Sequence, residues 1–119
     1  MAIRKIKIKI FNTEQELKDF VPFNKANSTI LRKKKICFAH SSEGIFAVAD
    51  KCPHHGASLS GGWCSQRNSI VCPLHRYDFD LRTGKGLSGI SDCIETYPIT
   101  ITSEGVFLEM TEGWSFWGK

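Results

Sequence analysis

Two short stretches of this chain, CPHHGASL at residues 52–59 and CPLH at residues 72–75, each place a cysteine close to a histidine. One residue lies between Cys52 and His54, and two lie between Cys72 and His75. Each stretch also contains a proline, whose ring restricts φ and stiffens the backbone. The stretches are separated widely enough to lie side by side as two loops. They can then present two thiolates and two imidazoles to a single point in space.

Two cysteines and two histidines suit two kinds of metal centre. One is a tetrahedral zinc site, and the other is a 2Fe–2S cluster in which histidines replace two of the cysteines on one iron. Zinc sites commonly place their cysteines together, about two to four residues apart, and their histidines together as well. Here each pair mixes one cysteine with one histidine. The spacing favours the cluster, and a zinc-bound or cluster-free interaction domain remains an alternative.

The rest of the chain predicts an all-β domain of many short strands, with residues 1–119 forming a single unit. The clearest strand is residues 3–11, where isoleucines alternate with lysines at the period of a half-buried strand. Residues 12–16 predict the capped start of one helical turn that ends near Phe20, and residues 21–28 predict a loop. The other predicted strands are 36–40 and 45–50 around a four-residue loop at 41–44, 69–72 and 77–81, and 93–102 and 106–110 around a turn at 103–105.

Composition and charge limit the class of protein. Hydrophobic residues make up 41% of the 119 residues and charged residues 24%, which is typical of a soluble globular domain. No apolar stretch is long enough to span a membrane, and the basic, alternating N-terminus does not resemble a secretory signal. Five cysteines, an odd number, without an export signal favour metal binding or free thiols over disulfides. We therefore expect a cytoplasmic protein.

The formal net charge is +4, and part of it comes from the run Arg32-Lys33-Lys34-Lys35. Such a run suits an acidic partner or nucleic acid. It also suits a solvated strand edge, because lysines on an edge discourage aggregation. We favour the edge, since nothing else in the chain resembles a nucleic-acid-binding module. No nucleic-acid partner is expected.

Several further residues need an interpretation of their own. Cys37 and Cys93 fall in predicted strands, where a buried thiol behaves as a small hydrophobic side chain. Cys64 falls at a predicted hairpin tip and is expected to be a bystander. His55 breaks the Cys-x-His spacing, and His40 is expected to be an ordinary strand histidine. The aromatic tail is expected to close the open end of the β-domain, and it contains Trp114, Phe116 and Trp117.

The motif pair resembles the signature of the Rieske family, which is Cys-x-His followed after about 15 to 17 residues by Cys-x-x-His. The stretch 52–59 looks like the first cluster loop of that family. The stretch CPLHRYDFDLRTG at residues 72–84 looks like the second loop and the strand that follows it. The resemblance is close over residues 36–86 and continues elsewhere as a pattern.

The resemblance implies a small Rieske-like domain of antiparallel sheets with a cluster-binding subdomain at about residues 51–82. It implies one 2Fe–2S cluster as the cofactor. Cys52 and Cys72 would hold the inner iron, and His54 and His75 would hold the outer iron.

The function implied by the resemblance is electron transfer between redox partner proteins. The first interpretation is a soluble ferredoxin between a reductase and an oxygenase. The alternative is a small electron-transfer subunit of a larger redox enzyme, similar to the nitrite reductase small subunits. No catalytic activity of its own is expected, because only His40 and His55 remain for the mononuclear iron site of an oxygenase. A nicotinamide or flavin fingerprint is also missing.

The reduction potential can be bracketed in the same way. An oxidised cluster with two thiolates and two neutral imidazoles carries no net charge, so it accepts an electron more readily than an all-cysteine cluster, at about −150 to +300 mV. The respiratory branch of the family has a disulfide between its loops and hydroxyl donors near the cluster. In this chain Ala57 and Leu74 stand in place of the bridging cysteines, and Tyr77 and Phe79 in place of the serine and tyrosine. We expect a potential near the low end.

Overall fold

The computed structural model of the chain describes residues 3–52, 58–74, 76–87, 89 and 92–113. Within these ranges the chain forms three antiparallel sheets, one α-helix and one 3-10 turn. The strands are, in chain order, β1 (Ile3–Phe11), β2 (Ala26–Leu31), β3 (Lys34–Ser41), β4 (Gly44–Ala49), β5 (Trp63–Cys64), β6 (Ser69–Val71), β7 (Asp78–Asp80), β8 (Thr96–Tyr97), β9 (Ile99–Thr102) and β10 (Gly105–Gly113). The helix α1 spans Glu14–Phe20, and the 3-10 turn spans Leu59–Gly61. The predicted all-β fold of antiparallel sheets is confirmed.

The first sheet has the strand order β1-β10-β9. The alternation in β1 works as predicted, because Ile6, Ile8 and Ile10 pack towards the core while the intervening lysines stay exposed. Helix α1 follows directly and ends at Phe20 as predicted. Its start is capped by Thr13, whose side chain accepts a hydrogen bond from the backbone N–H of Glu16 at 3.2 Å.

The second sheet has the order β2-β3-β4-β8, and it corrects the predicted loop at residues 21–28. The strand β2 begins at Ala26 and pairs with β3 along its whole length, from Ala26↔Ala39 to Leu31↔Lys34. The sequence of β2 has no regular alternation of apolar and polar residues. Its pairing with β3, rather than a local pattern, therefore makes it a strand. Arg32 and Lys33 form the turn between these strands at φ 51° and 67°. The basic run is therefore exposed at a hairpin turn at the margin of the sheet, not along an edge strand.

The hairpin of β3 and β4 is tighter than the predicted four-residue loop. Ser41 and Gly44 are themselves paired, which leaves only Ser42 and Glu43 in the turn. The Ser41 hydroxyl accepts a hydrogen bond from the backbone N–H of Glu43 at 3.1 Å. Gly44 adopts φ 132°, which a residue with a side chain rarely adopts.

The third sheet has the order β5-β6-β7. In the sequence, β5 and β6 fall between the two cysteine stretches, and β7 follows the second stretch. Cys64 was predicted at a hairpin tip, and this is wrong. It lies in β5, paired with Ile70 of β6, and is 5% exposed. The turn of this hairpin falls at residues 65–68, where Asn68 adopts φ 56°. A two-residue strand is too short to show any periodicity, so the pairing decides it.

The predicted strand at residues 93–102 is divided between two sheets. The strand β8 pairs with β4 in the second sheet, and β9 pairs with β10 in the first. Pro98 lies between them, and since proline has no N–H it interrupts a hydrogen-bond ladder. Cys93 is exposed, so its predicted burial is wrong. The aromatic tail with Trp114, Phe116 and Trp117 lies outside the described residues.

The strand β3 separates two hydrophobic clusters. Ile36 and Phe38 face the cluster formed with α1 and the first sheet, and Cys37 and Ala39 face the cluster formed with the third sheet. All four side chains are fully buried, so β3 is covered on both faces. Cys52, Leu59 and Cys72, from the two cysteine stretches, belong to the second of these clusters. No helix among the described residues is long and apolar enough to cross a membrane.

Candidate iron–sulfur site

Cys52 and Cys72, the two cysteines predicted as ligands, lie in the same hydrophobic cluster. Both are fully buried, and the cluster also contains Leu59, Ile70 and Phe79. Cys52 comes shortly after the end of β4, and Cys72 comes immediately after β6. Two different sheets thus deliver the two thiols to one apolar region. The predicted ligands His54 and His75, and the competing His55, lie outside the described residues.

The second cysteine stretch is the connection between β6 and β7. The backbone N–H of Cys72 donates to Tyr77 O at 2.7 Å, and the N–H of Arg76 donates to Cys72 O at 2.9 Å. These two hydrogen bonds hold the two ends of the connection together, next to the ends of β6 and β7. Leu74, in the middle of this connection, is 55% exposed. The backbone thus holds Cys72 inward while the middle of the connection faces solvent.

The first stretch returns to the core through the 3-10 turn and Gly62. A Cβ atom at Gly62 would lie 1.8 Å from Val71 O, so this backbone packs directly against β6. Only a residue without a side chain allows such a close approach. Since Val71 immediately precedes Cys72, this contact joins the return of the first stretch to the start of the second.

These donors fit a 2Fe–2S cluster held through two thiolates. The Cys52 and Cys72 side chains are both shielded from water at the starts of two adjacent connections. A thiolate is the form of cysteine that binds iron, and an apolar surrounding limits access of water to the metal. Within the part of the chain that the structure describes, no three His, Cys, Asp or Glu side chains form a metal-binding group.

Comparison with known proteins decides the family. The model of the Rieske 2Fe-2S domain matches residues 11–98. The chain belongs to the Rieske family. This Rieske domain carries a single 2Fe–2S cluster, which favours the cluster over the zinc site that the spacing alone left open.

Curated relatives of this Rieske chain are ferredoxin subunits. The 3-phenylpropionate/cinnamic acid dioxygenase ferredoxin subunit of Photorhabdus laumondii is 36% identical over 78 residues, which cover 65% of this chain and 74% of the relative. The protein of the same description from Escherichia coli K12 is 35% identical over 69 residues, covering 57% of this chain and 65% of the relative.

Solved structures share the fold. The ferredoxin of carbazole 1,9a-dioxygenase from Nocardioides aromaticivorans IC177 superposes with a TM-score of 0.71 at 17% identity, covering 86% of this chain and 95% of its own. A Mycobacterium tuberculosis protein assigned as an NADH-dependent nitrite reductase small subunit gives a TM-score of 0.74 at 18% identity, covering 94% and 99%. At these identities the likeness shows the fold alone. The predicted Rieske-like fold is confirmed.

The surroundings of the Rieske site contain few side-chain donors at the predicted positions. Phe79 is fully buried in the same cluster as Cys52 and Cys72, and its ring has no hydrogen-bond donor. Tyr77 is half-buried and packs against that cluster. Ala57 lies outside the described residues, and Leu74 faces solvent.

Two further cysteines of the Rieske domain lie in this core. Burial raises the pKa of Cys64 to about 11, although a hydrogen bond from the backbone of His40 opposes the shift. Burial also raises the pKa of Cys37 well above its usual value, with the negative charge of Asp50 as the next cause. Both side chains are therefore protonated, uncharged thiols at neutral pH. The strand that holds Cys64 was not predicted, because a two-residue strand has no sequence signature.

A buried aspartate stabilises the hairpin that carries Cys72. Asp78 is 5% exposed and accepts two hydrogen bonds from the Arg67 guanidinium, both at 2.9 Å, and one from the Ser69 hydroxyl at 2.7 Å. Burial alone would raise the pKa of this carboxyl, but those hydrogen bonds and the charge of Arg67 outweigh it and hold the pKa below its usual value. Sequence reasoning did not single out Asp78; its only local signal is a charge between two aromatic residues.

Proposed function

We propose that this chain carries single electrons on its 2Fe–2S cluster, as the ferredoxin component between a reductase and an oxygenase. The observation that carries the proposal is the convergence of Cys52 and Cys72, fully buried, in one cluster of a Rieske domain. The names of the curated relatives, which are ferredoxin subunits of dioxygenases, support the choice of partners.

We further propose that Cys52 and Cys72 hold one iron and that His54 and His75 hold the other. The burial of both thiols suits the inner position, and the two histidines follow them at the spacing of the motif. The ligands would lie in a cluster-binding subdomain at about residues 51–82, within a single domain of residues 1–119. The third sheet and the 3-10 turn fall inside that range.

The protein's own groups would position the donors and exclude water. A bound 2Fe–2S cluster accepts and returns one electron, at a potential raised by histidine ligation. The backbone bonds of Cys72 fix the second connection, and Leu59, Ile70 and Phe79 keep water from the thiolate side. The exposed face around Leu74 is where a partner can approach. We propose no substrate site and no catalytic activity for this chain. The odd number of cysteines, five, supports a reducing, cytoplasmic location.

Electron paramagnetic resonance of the dithionite-reduced protein, with analysis of iron and acid-labile sulfide, tests the cluster and its ligands. We expect two irons and two sulfides per chain and a spectrum typical of histidine ligation. Replacing His54 or His75 with Ser should lose or alter that spectrum. The matched control is His40→Gln, because His40 lies on β3 and contacts Val21 O, away from the two connections. A protein without iron and sulfide refutes the proposal.

A small subunit of a larger redox enzyme is the second candidate, since the M. tuberculosis protein assigned to a nitrite reductase shares the fold. Gel filtration of the native protein at dilute concentration separates the two. A free chain that is reduced by a flavoprotein reductase and reoxidised by a dioxygenase supports the ferredoxin. A persistent complex with a larger subunit supports the alternative.

A further inference from the structure

Asp50 is a buried carboxylate at the base of the first cysteine stretch. It follows the last residue of β4, stands two positions before Cys52, and is 4% exposed. Its side chain has no exposed surface at all. Burying a carboxylate is costly unless hydrogen bonds and a counter-charge compensate for the lost water. The hydrogen-bond and charge partners of the Asp50 carboxylate therefore indicate which parts of the chain it holds together.

The carboxylate has partners on both of its oxygens. Oδ2 accepts a hydrogen bond from the Ser58 hydroxyl at 2.6 Å, and Oδ1 accepts one from the backbone N–H of Ser60 at 2.8 Å. Lys35 Nζ lies 3.3 Å from Oδ2 and supplies the counter-charge. Lys35 lies on β3, and Ser58 and Ser60 lie at the end of the first stretch.

The hydrogen bonds to Ser58 and Ser60 close the chain segment that contains Cys52. They join a residue just before the cysteine to Ser58 and Ser60, at the end of the first stretch and the start of the 3-10 turn. The hydroxyls of Ser58 and Ser60 lie 2.7 Å apart, and the Ser60 hydroxyl is 3.2 Å from that of Ser28 on β2. Both ends of the segment are thus tied to each other and to the second sheet.

We propose that Asp50 is a positioning residue for the cluster. Its carboxylate closes the first stretch through Ser58 and Ser60, and so holds the Cys52 thiolate where the cluster needs it. Its negative charge, two residues from Cys52, also disfavours the added electron. The inference rests on the proposed ligation by Cys52. It assigns to Asp50 two separable effects, one on cluster retention through hydrogen bonds and one on the potential through charge.

Two variants separate these effects. Asp50→Asn removes the charge and disturbs the hydrogen bonds, whereas Ser58→Ala removes one hydrogen bond and leaves the charge. Each variant loses or weakens a hydrogen bond to a charged group, and such bonds are strong. We therefore expect either variant to release iron to a chelator about tenfold faster than wild type. The midpoint potential should rise in Asp50→Asn and stay close to the wild-type value in Ser58→Ala. The spectrum of the reduced protein should change in Asp50→Asn.

The double variant tests whether the two residues act together. Because Asp50 and Ser58 share one hydrogen bond, iron release from the double variant should be about tenfold faster than wild type, whereas independent residues would give about a hundredfold. The control is Asp19→Asn, an exposed aspartate on α1 that accepts a hydrogen bond from the Gln15 side chain, and it should match wild type. If Asp50→Asn does not fold by circular dichroism, Ser58→Ala decides alone.

The proposal is overturned if folded Asp50→Asn releases iron within twofold of wild type, or if its potential does not rise. It is also overturned if the double variant is additive, if Ser58→Ala alone has no effect, or if Asp19→Asn has the same effects as Asp50→Asn. These outcomes leave the proposed function intact, provided that the wild-type protein shows the histidine-ligated cluster.

Discussion

Replacing Gly62 with Ala should destabilise the protein strongly, although the change adds a single methyl group. The new Cβ would lie 1.8 Å from Val71 O, 2.9 Å from Val71 C and 3.3 Å from Leu59 O. The backbone at Gly62 has φ −93° and ψ −155°, which an alanine can adopt. The expected effect is therefore steric and does not come from backbone strain.

The magnitude follows from what must move. Real Cβ atoms essentially never come within 3.0 Å of heavy atoms outside their own residue and its chain neighbours. The backbone at Gly62 and the backbone at Val71 must therefore separate by more than 1 Å. The obstacle is a strand carbonyl rather than a flexible side chain, so we expect the upper end of the cost of overpacking, about 3 kcal/mol. For a domain of this size that corresponds to a melting temperature lower by about 10–15 °C. Since Val71 adjoins Cys72, cluster retention should fall as well.

The matched control is the neighbouring Gly61→Ala, whose Cβ would lie 3.6 Å from Pro73 Cγ, an ordinary van der Waals contact and the nearest one among the described residues. It should be neutral, or stabilising by about 0.4–1 kcal/mol, because alanine restricts the unfolded chain. Thermal unfolding of both variants and wild type is followed by circular dichroism at one scan rate, and iron loss by visible absorption. Melting temperatures that agree within about 2 °C for Gly62→Ala and wild type would refute the reasoning. So would an equal loss of stability in Gly61→Ala.

Three further predictions follow from the same structure. Cys64→Ser should keep the wild-type ratio of iron to protein, because a serine hydroxyl can accept the backbone hydrogen bond of His40; loss of half the iron would contradict this. Arg67→Ala should lower the free energy of unfolding at pH 7, since Asp78 stays buried with fewer partners. The folded-state pKa of Asp78 is depressed, so its stabilisation is present above its unfolded pKa and is lost as pH falls through the folded value. The difference between wild type and variant in fluorescence-monitored unfolding should therefore shrink below about pH 4, and a pH-independent difference would be the opposite result. Finally, redox titration should place the midpoint potential below about +100 mV, because Phe79 offers no donor near the cluster, and a higher value would show that other donors compensate.

Much of the fold was predictable because its signals are local. The alternation in β1 and the capped start of α1 each depend on residues within a few positions of one another, and the structure confirms both. The strand β2, the two-residue β5 and the division of residues 93–102 were not predicted. Each depends on which distant strand supplies the hydrogen-bond partners, and a strand that short has no period to detect.

The candidate site likewise has some features that the sequence predicts and others that only the folded molecule shows. The types and spacing of Cys52, His54, Cys72 and His75 are properties of the chain itself, and they were enough to predict a histidine-ligated cluster. The closing hydrogen bonds of Asp50 and the pairing of Arg67 with Asp78 are properties of the folded molecule.

By itself, the sequence determined the all-β class, and the spacing of its cysteines and histidines favoured an iron–sulfur cofactor over zinc, because cluster ligation depends on a few residue types at short separation. Only the tertiary structure decided how those residues are supported. Two sheets must pack against each other before Cys52 and Cys72 enter one apolar cluster. The physical reason is that a buried charge or thiol gains its partners through loop closure and strand pairing, which join residues that no local pattern relates.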